Sequence, residues 1–260
     1  MSPNARRAIA GLVGLVSVAL MATTALAVSA SRSASEPVEL APVLAVQAPP
    51  VVRALVAPAV VPPRRLSAAP VPDADPLQGW AVQIWQRTGI PVPALRAYGR
   101  AELRLADEQP RCRVGWVTLA GIGEVESQHG QYQRRTVDDT GRPSRPIVGI
   151  ALDGDGVARI GDTDGGVLDG DTALDRAVGP MQVLPSTWRR WAADGDGDGL
   201  RDPQDLDDAS LAAARYLCAA GTVRTDAGWR AAVLSYNASD AYLGEVSAWA
   251  GAYARASVAS

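Results

Sequence analysis

The 260-residue chain contains no lysine and no phenylalanine, a single histidine and two cysteines. With every basic side chain an arginine, a phosphate-loop lysine and a Schiff-base lysine are both excluded. One imidazole, His129, cannot build a multi-histidine metal centre. Basic residues never gather beyond an arginine pair and the net charge is −3, so there is no electrostatic footprint for nucleic acid or an anionic membrane surface. Strand patterns are scarce. The chemistry left to the chain is that of its carboxylates.

At the N-terminus, Arg6 and Arg7 precede an apolar run from Ala8 to Val28, with the small residues Ala25, Ala27 and Ala30 around its end. This is the layout of an export signal over residues 1–30, with cleavage expected after Ala27 or Ala30. The run is also long enough to stay uncleaved, so residues 8–28 are an alternative membrane anchor. Residues 31–76 hold 10 of the 19 prolines among alanine and valine. Proline removes backbone donors and fixes φ, which favours extended conformers over a packed core. The segment reads as a disordered tether, or as a low-complexity tail without a role.

Composition changes near Asp75, and residues 77–256 are expected to form one mostly α domain. Helical periods cover 77–87, 93–107, 113–128, 185–193, 208–220, 226–237 and 239–254, with Asp208, Asp226 and Ser239 as candidate caps. Cys112 and Cys218 fall at the start of one expected helix and the end of another. In an exported protein their economical use is one disulfide between these helices.

Between Gln131 and Val178 the helical period disappears into Gly, Asp and Pro. Such a length suits a functional or ion-binding loop better than a simple connection. Sixteen of the 21 Asp lie between Asp138 and Asp208, against seven Arg and no Glu. The sharpest spacing is Asp194, Asp196, Asp198, Leu200, Asp202 and Asp205, at positions 1, 3, 5, 7, 9 and 12 of a calcium loop with Gly199 at 6. Leu200 would contribute its carbonyl. Asp at the last position is shorter than the usual Glu, and the ion would be structural. The run Asp162–Asp171 lacks this register and is assigned no metal.

Two of the domain's five glutamates, Glu124 and Glu126, end the most apolar helix, two residues apart and therefore on opposite faces. A carboxyl held in apolar surroundings has a raised pKa and can donate a proton at neutral pH. The flanking motifs resemble those of lytic murein transglycosylases of the membrane-bound lytic transglycosylase B type, as found in actinobacteria. They are Leu119-Ala-Gly-Ile-Gly with Glu126-Ser127 and Gly130; Gly179-Pro-Met-Gln182 with Leu184-Pro-Ser-Thr-Trp188; Arg201-Asp-Pro-Gln204; Ala212-Ala-Ala-Arg-Tyr216-Leu-Cys218; and Leu234-Ser-Tyr236-Asn237. Their order is that of the family.

The resemblance implies a lysozyme-like helical domain that cleaves peptidoglycan strands with no cofactor for the chemistry. Glu126 would be the catalytic acid and then the base. Ser127, Met181, Gln182, Tyr236 and Asn237 would contact substrate. Val183 stands where relatives often carry Phe, so one aromatic wall is absent. Tyr132 is a candidate stacking face; Trp188 repeats with Leu184 and Trp191 as core, and Tyr236 also fits a core stripe. His129 reads as a loop residue near the cleft. The expected product is an exported, monomeric enzyme leaving 1,6-anhydromuramoyl ends. The alternatives are a hydrolytic muramidase using an Asp from the 131–178 stretch, and a noncatalytic, calcium-stabilised wall-binding module.

Overall fold

In the computed structural model of the chain, residues 75–219 and 221–258 are described; the export segment at 1–30 and nearly all of the linker lie outside them. Among the described residues seven α-helices follow in order: α1 (Gln78–Thr88), α2 (Val92–Glu108), α3 (Trp116–Ser127), α4 (Pro185–Trp191), α5 (Leu206–Ala219), α6 (Asp226–Tyr236) and α7 (Asp240–Val258), with a 3₁₀ turn at Tyr132–Arg134. The domain is mostly helical, as expected. None of these helices is long and apolar enough to cross a membrane.

The sequence of α3 is apolar on every face, and it accordingly lies at the centre, with Trp116, Leu119 and Ile122 fully buried. It packs against α2 on one side and α7 on another, while α5 covers α2. No side chain of Gly115 is available to cap α3; Glu102 of α2 instead accepts the Trp116 N–H at 2.7 Å. The helix starts later than the sequence period suggested because Arg113 takes a left-handed φ of 66°.

Two other boundaries are corrected. Helix α5 begins at Leu206, with Asp205 accepting the Asp207 N–H at 2.9 Å, so Asp208 lies inside the first turn rather than at the cap. The cap of α6 is Thr225, which accepts the Gly228 N–H, and Asp226 is its first residue. Ser239 does cap α7, accepting the Tyr242 N–H at 3.3 Å. Cys112 and Cys218 form the expected disulfide, with Cα atoms 5.5 Å apart.

The stretch from 131 to 178 is held by isolated bridges such as Val148 with Val178 and Gly161 with Leu174. Aspartates serve as its turn formers. Asp162 accepts the N–H groups of Asp164, Gly165 and Gly166, and Asp169 accepts those of Asp171 and Arg176. The stretch closes against the helical body at Gly179, whose φ is +75° and where an added Cβ would stand 1.7 Å from the Pro203 carbonyl. Only glycine fits there.

Candidate active site

Glu126 occupies the last turn of α3 and faces a cleft of about 160 Å³ whose walls include Tyr132, Arg135, Val148, Arg176 and Gln182. The Tyr242 hydroxyl of α7 donates to Glu126 Oε1 at 2.6 Å. Burial pushes the Glu126 carboxyl up to about 7, with the Tyr242 hydrogen bond opposing the rise. A carboxyl so placed holds its proton near neutrality and can give it up to a basic oxygen.

Glu124, on the other side of the helix, is treated in the opposite way. Burial pushes its carboxyl up, but the hydrogen bond and charge of His129 together with the Tyr253 hydrogen bond outweigh burial and hold it below the ordinary value. Two glutamates two residues apart are thus shifted in opposite directions by their surroundings.

The other sequence candidates divide. Gln182 lines the same cleft as Glu126, with its backbone at φ 45° and its Nε2 donating to the Gly179 carbonyl at 3.0 Å. Tyr236 stands behind it, its hydroxyl donating to the Met181 carbonyl at 2.7 Å; burial first, and then the charge of Glu126, raise its pKa. Met181 has its side chain wholly buried. Ser127 is buried too, donating to the Pro180 carbonyl at 2.6 Å and accepting the Gly130 N–H at 2.7 Å, so it ties the end of α3 to the Gly179–Gln182 turn. Asn237 is 8% exposed, and its Oδ1 has no hydrogen-bond partner among the described residues. Trp188 belongs to the core, as expected.

His129 is not a cleft residue. It is 3% exposed, wedged between Tyr98 and Tyr253 on the Glu124 side of α3. Tyr242 and, on the cleft walls, Arg135, Arg176 and Val148 are parts of the site that sequence reasoning missed. Tyr242 reaches Glu126 from 116 residues away, and Arg135 lines the cleft from the loop after α3, held by the carbonyls of Tyr132, Arg145 and Pro146; neither leaves a local motif.

Of the expected calcium ligands, Asp194 and Asp196 are brought together, and the third carboxylate within 4.8 Å of them is Asp208. Asp198 accepts the Leu200 N–H, Leu200 is exposed, Asp202 pairs with Arg142, and Asp205 faces Arg142 Nε at 3.4 Å. Burial, with the neighbouring carboxylates adding to it, raises Asp205 to about 7 and Asp208 to about 6. A second group, Asp162, Asp164 and Asp175, also lies within 4.8 Å, in the run that the sequence left without a metal. Both Asp175 oxygens accept from Thr163, just as both Asp194 oxygens accept from Gly197 and Gly199 and both Asp208 oxygens from Gly195 and Asp202. These acidic clusters could hold a cation.

The raised carboxyls predict a stability profile. Glu102, like Glu126, is pushed up to about 7, mainly by burial. A carboxyl whose folded value lies above its unfolded one stabilises the fold most below the unfolded value of 4.5 and loses that contribution as pH rises through 7. Melting temperature should therefore fall between pH 5 and pH 8. Glu126→Gln should flatten the fall and leave the variant more stable than the parent at pH 8 by about 1 to 2 kcal/mol, discounted for the cleft-facing edge of the side chain. Thermal melts across that range decide it.

Residues 172–250 match the family described as Transglycosylase SLT domain. The match takes in α4 to α6 and the first part of α7, with Gln182, Tyr236, Asn237 and Tyr242, and it begins after Glu126. No curated protein matches the chain. Among solved structures, the Escherichia coli lytic transglycosylase Slt35 in complex with bulgecin A aligns at 16% identity and a TM-score of 0.39, over 68% of this chain and 79% of that one.

Proposed function

We propose that the chain is an exported lytic transglycosylase with a lysozyme-like domain at 77–256, cutting the β-1,4 bond between N-acetylmuramic acid and N-acetylglucosamine in peptidoglycan. The observation that carries this reading is a single cleft carboxyl, Glu126, poised at about 7. The transglycosylase domain match over residues 172–250 supports it.

In this mechanism the protonated Glu126 donates to the glycosidic oxygen as the C1–O bond of the muramoyl unit breaks, releasing the N-acetylglucosamine hydroxyl. The resulting carboxylate then takes the proton of the muramoyl C6 hydroxyl, whose oxygen bonds to C1 and closes the 1,6-anhydro ring. Proton and electron pairs balance, and Glu126 returns to its starting state. No second carboxylate is required, because the nucleophile belongs to the substrate. The residues of the 131–178 stretch that line the cleft include Tyr132, Arg135 and Arg176, and the mechanism asks no Asp of them.

Tyr242 holds the Glu126 carboxyl in register. Gln182 presents an amide to the acetamido and hydroxyl groups of the sugars, and Tyr132 a face for stacking. The unpaired Asn237 Oδ1 would accept a hydrogen bond from bound glycan, since a buried acceptor left without a partner is costly. Ser127 and Met181 support the site from behind. The Cys112–Cys218 disulfide suits an oxidising destination outside the cytoplasm, with residues 1–30 as the export signal or anchor and 31–76 as the spacer.

Purified sacculi digested with the chain should release muropeptides one water lighter than the corresponding hydrolysis products. Reducing muramic acid ends would establish a muramidase instead, and no release at all would leave the noncatalytic wall-binding reading.

We assign a structural calcium ion to Asp194, Asp196 and Asp208. The donors are all oxygen, they converge, and no arginine pairs with them among the described residues. Calcium at a hundred times its Kd should raise stability by about 2.7 kcal/mol, read as a rise of several degrees in Tm. Asp208→Asn should abolish the rise. A parent Tm unchanged by calcium removes the ion and spares the enzyme.

A further inference from the structure

The buried cluster on the far side of α3 takes no part in the proton transfers, yet its geometry bears on them. Tyr242, Val246, Ala250 and Tyr253 recur along one face of α7, and this face crosses α3. At the crossing α3 offers Gly121: an added Cβ there would lie 2.9 Å from the Val246 carbonyl oxygen and 3.3 Å from Ala250 Cβ. The two backbones meet with no side chain between them. On either flank of this contact stands a tyrosine. Tyr242 donates to Glu126 at 2.6 Å on one side of α3, and Tyr253 donates to Glu124 at 3.0 Å on the other.

His129 completes the second flank. Its backbone N–H closes the end of α3 onto the Gly123 carbonyl at 2.9 Å. Its ring lies between Tyr98 of α2, at 3.0 Å from Nδ1, and Tyr253, at 3.0 Å from Nε2, with Glu124 Oε2 2.9 Å from Nε2. Gly123 leaves the space that the Tyr98 hydroxyl fills.

We propose that Tyr253, Glu124 and His129 form a positioning clamp that fixes the rotation of α3 about its axis and thereby holds Glu126 on the Tyr242 hydroxyl. Any roll of the helix that carried Glu126 from Tyr242 would also displace Glu124 from Tyr253 and His129, because the two glutamates sit on opposite faces. The contacts therefore oppose the same movement from both sides. These are positioning residues, since none of them lines the cleft. The catalytic consequence rests on the transglycosylase reading; the geometric claim does not.

The test reads the Glu126 carboxyl directly, by NMR titration of the folded chain, beside kcat and KM on sacculi. The groups facing Glu126 are Tyr242 and Tyr236, with Arg135 and Arg176 across the cleft. Those facing His129 are Tyr98, Glu124 and Tyr253. Tyr253→Phe removes a hydroxyl from the clamp and changes no charge near Glu126. It should move the Glu126 midpoint upward in the direction of Tyr242→Phe, since loss of a hydrogen bond to the ionised form favours the neutral one. It should also lower kcat roughly 10- to 100-fold with KM unchanged.

The double variant Tyr242→Phe/Tyr253→Phe should move the midpoint no further than Tyr242→Phe alone. His129→Gln carries the same test should Tyr253→Phe fail to fold. A Glu126 midpoint that stays at the parent value, whether or not kcat falls, overturns the clamp, as do shifts that add in the double variant. A parent chain that releases nothing from sacculi defeats the enzyme reading, and the titrations still decide the clamp.

Discussion

Glu126→Gln is expected to reduce murein cleavage by roughly 10²- to 10⁴-fold, toward the upper end because one group serves as both acid and base. The amide fills the same volume and can still meet the Tyr242 hydroxyl, so the helices around the cleft should be undisturbed. What disappears is the exchangeable proton that burial keeps on the side chain near neutrality. The loss should be in kcat rather than KM, since the cleft walls, including Gln182 and Tyr132, remain in place. Turbidity clearance of sacculi, with circular dichroism as the control, measures it. A variant that clears at the parent rate would place the acid elsewhere and end the proposed mechanism.

The second large effect is expected at the Cys112–Cys218 bridge. It joins residues 106 apart in sequence, tying the segment before α3 to the end of α5. Cross-linking so long a loop restricts the unfolded chain, and its loss by Cys112→Ser with Cys218→Ser should cost about 3 to 5 kcal/mol, or roughly 10 °C in Tm. The Val223 N–H also donates to the Cys112 carbonyl at 2.8 Å, so the local geometry has support of its own. Neither cysteine lines the Glu126 cleft, so activity at 25 °C should survive in whatever fraction remains folded. An unchanged Tm on reduction would show that the bridge constrains little.

The helical frame was readable because its signals are local. Every helix follows from its apolar residues, six by their period and α3 as the most apolar segment, which the structure puts at the centre. Glu126 was singled out by its neighbours in sequence. The site's remaining parts depend on which helices meet. Tyr242 is 116 residues from the carboxyl it holds, and nothing beside it in the chain marks it. Of the six positions in the calcium register only Asp194 and Asp196 are brought together, for a similar reason. A loop template places the last ligand at Asp205, but α5 already starts at Leu206, which turns Asp208 back toward Asp194 and Asp196 and leaves Asp205 facing Arg142. His129 looked like a loop residue because it follows the helix, whereas its left-handed backbone at φ 57° folds it inward beneath α3.

The aspartate turns of the 131–178 wall set an acid limit on the protein. Asp162 and Asp171 are held below their ordinary value by the backbone N–H groups they accept, and Asp138, despite the opposing effect of burial, by the N–H groups of Arg142 and Thr140. Groups depressed in this way lend their support above 3.8 and withdraw it only as pH falls through their own lower values. Glu126 loads and unloads near 7. These turn aspartates and Glu126 therefore titrate in separate windows, and mild acidification can protonate Glu126 without unlatching the loop that shapes its groove.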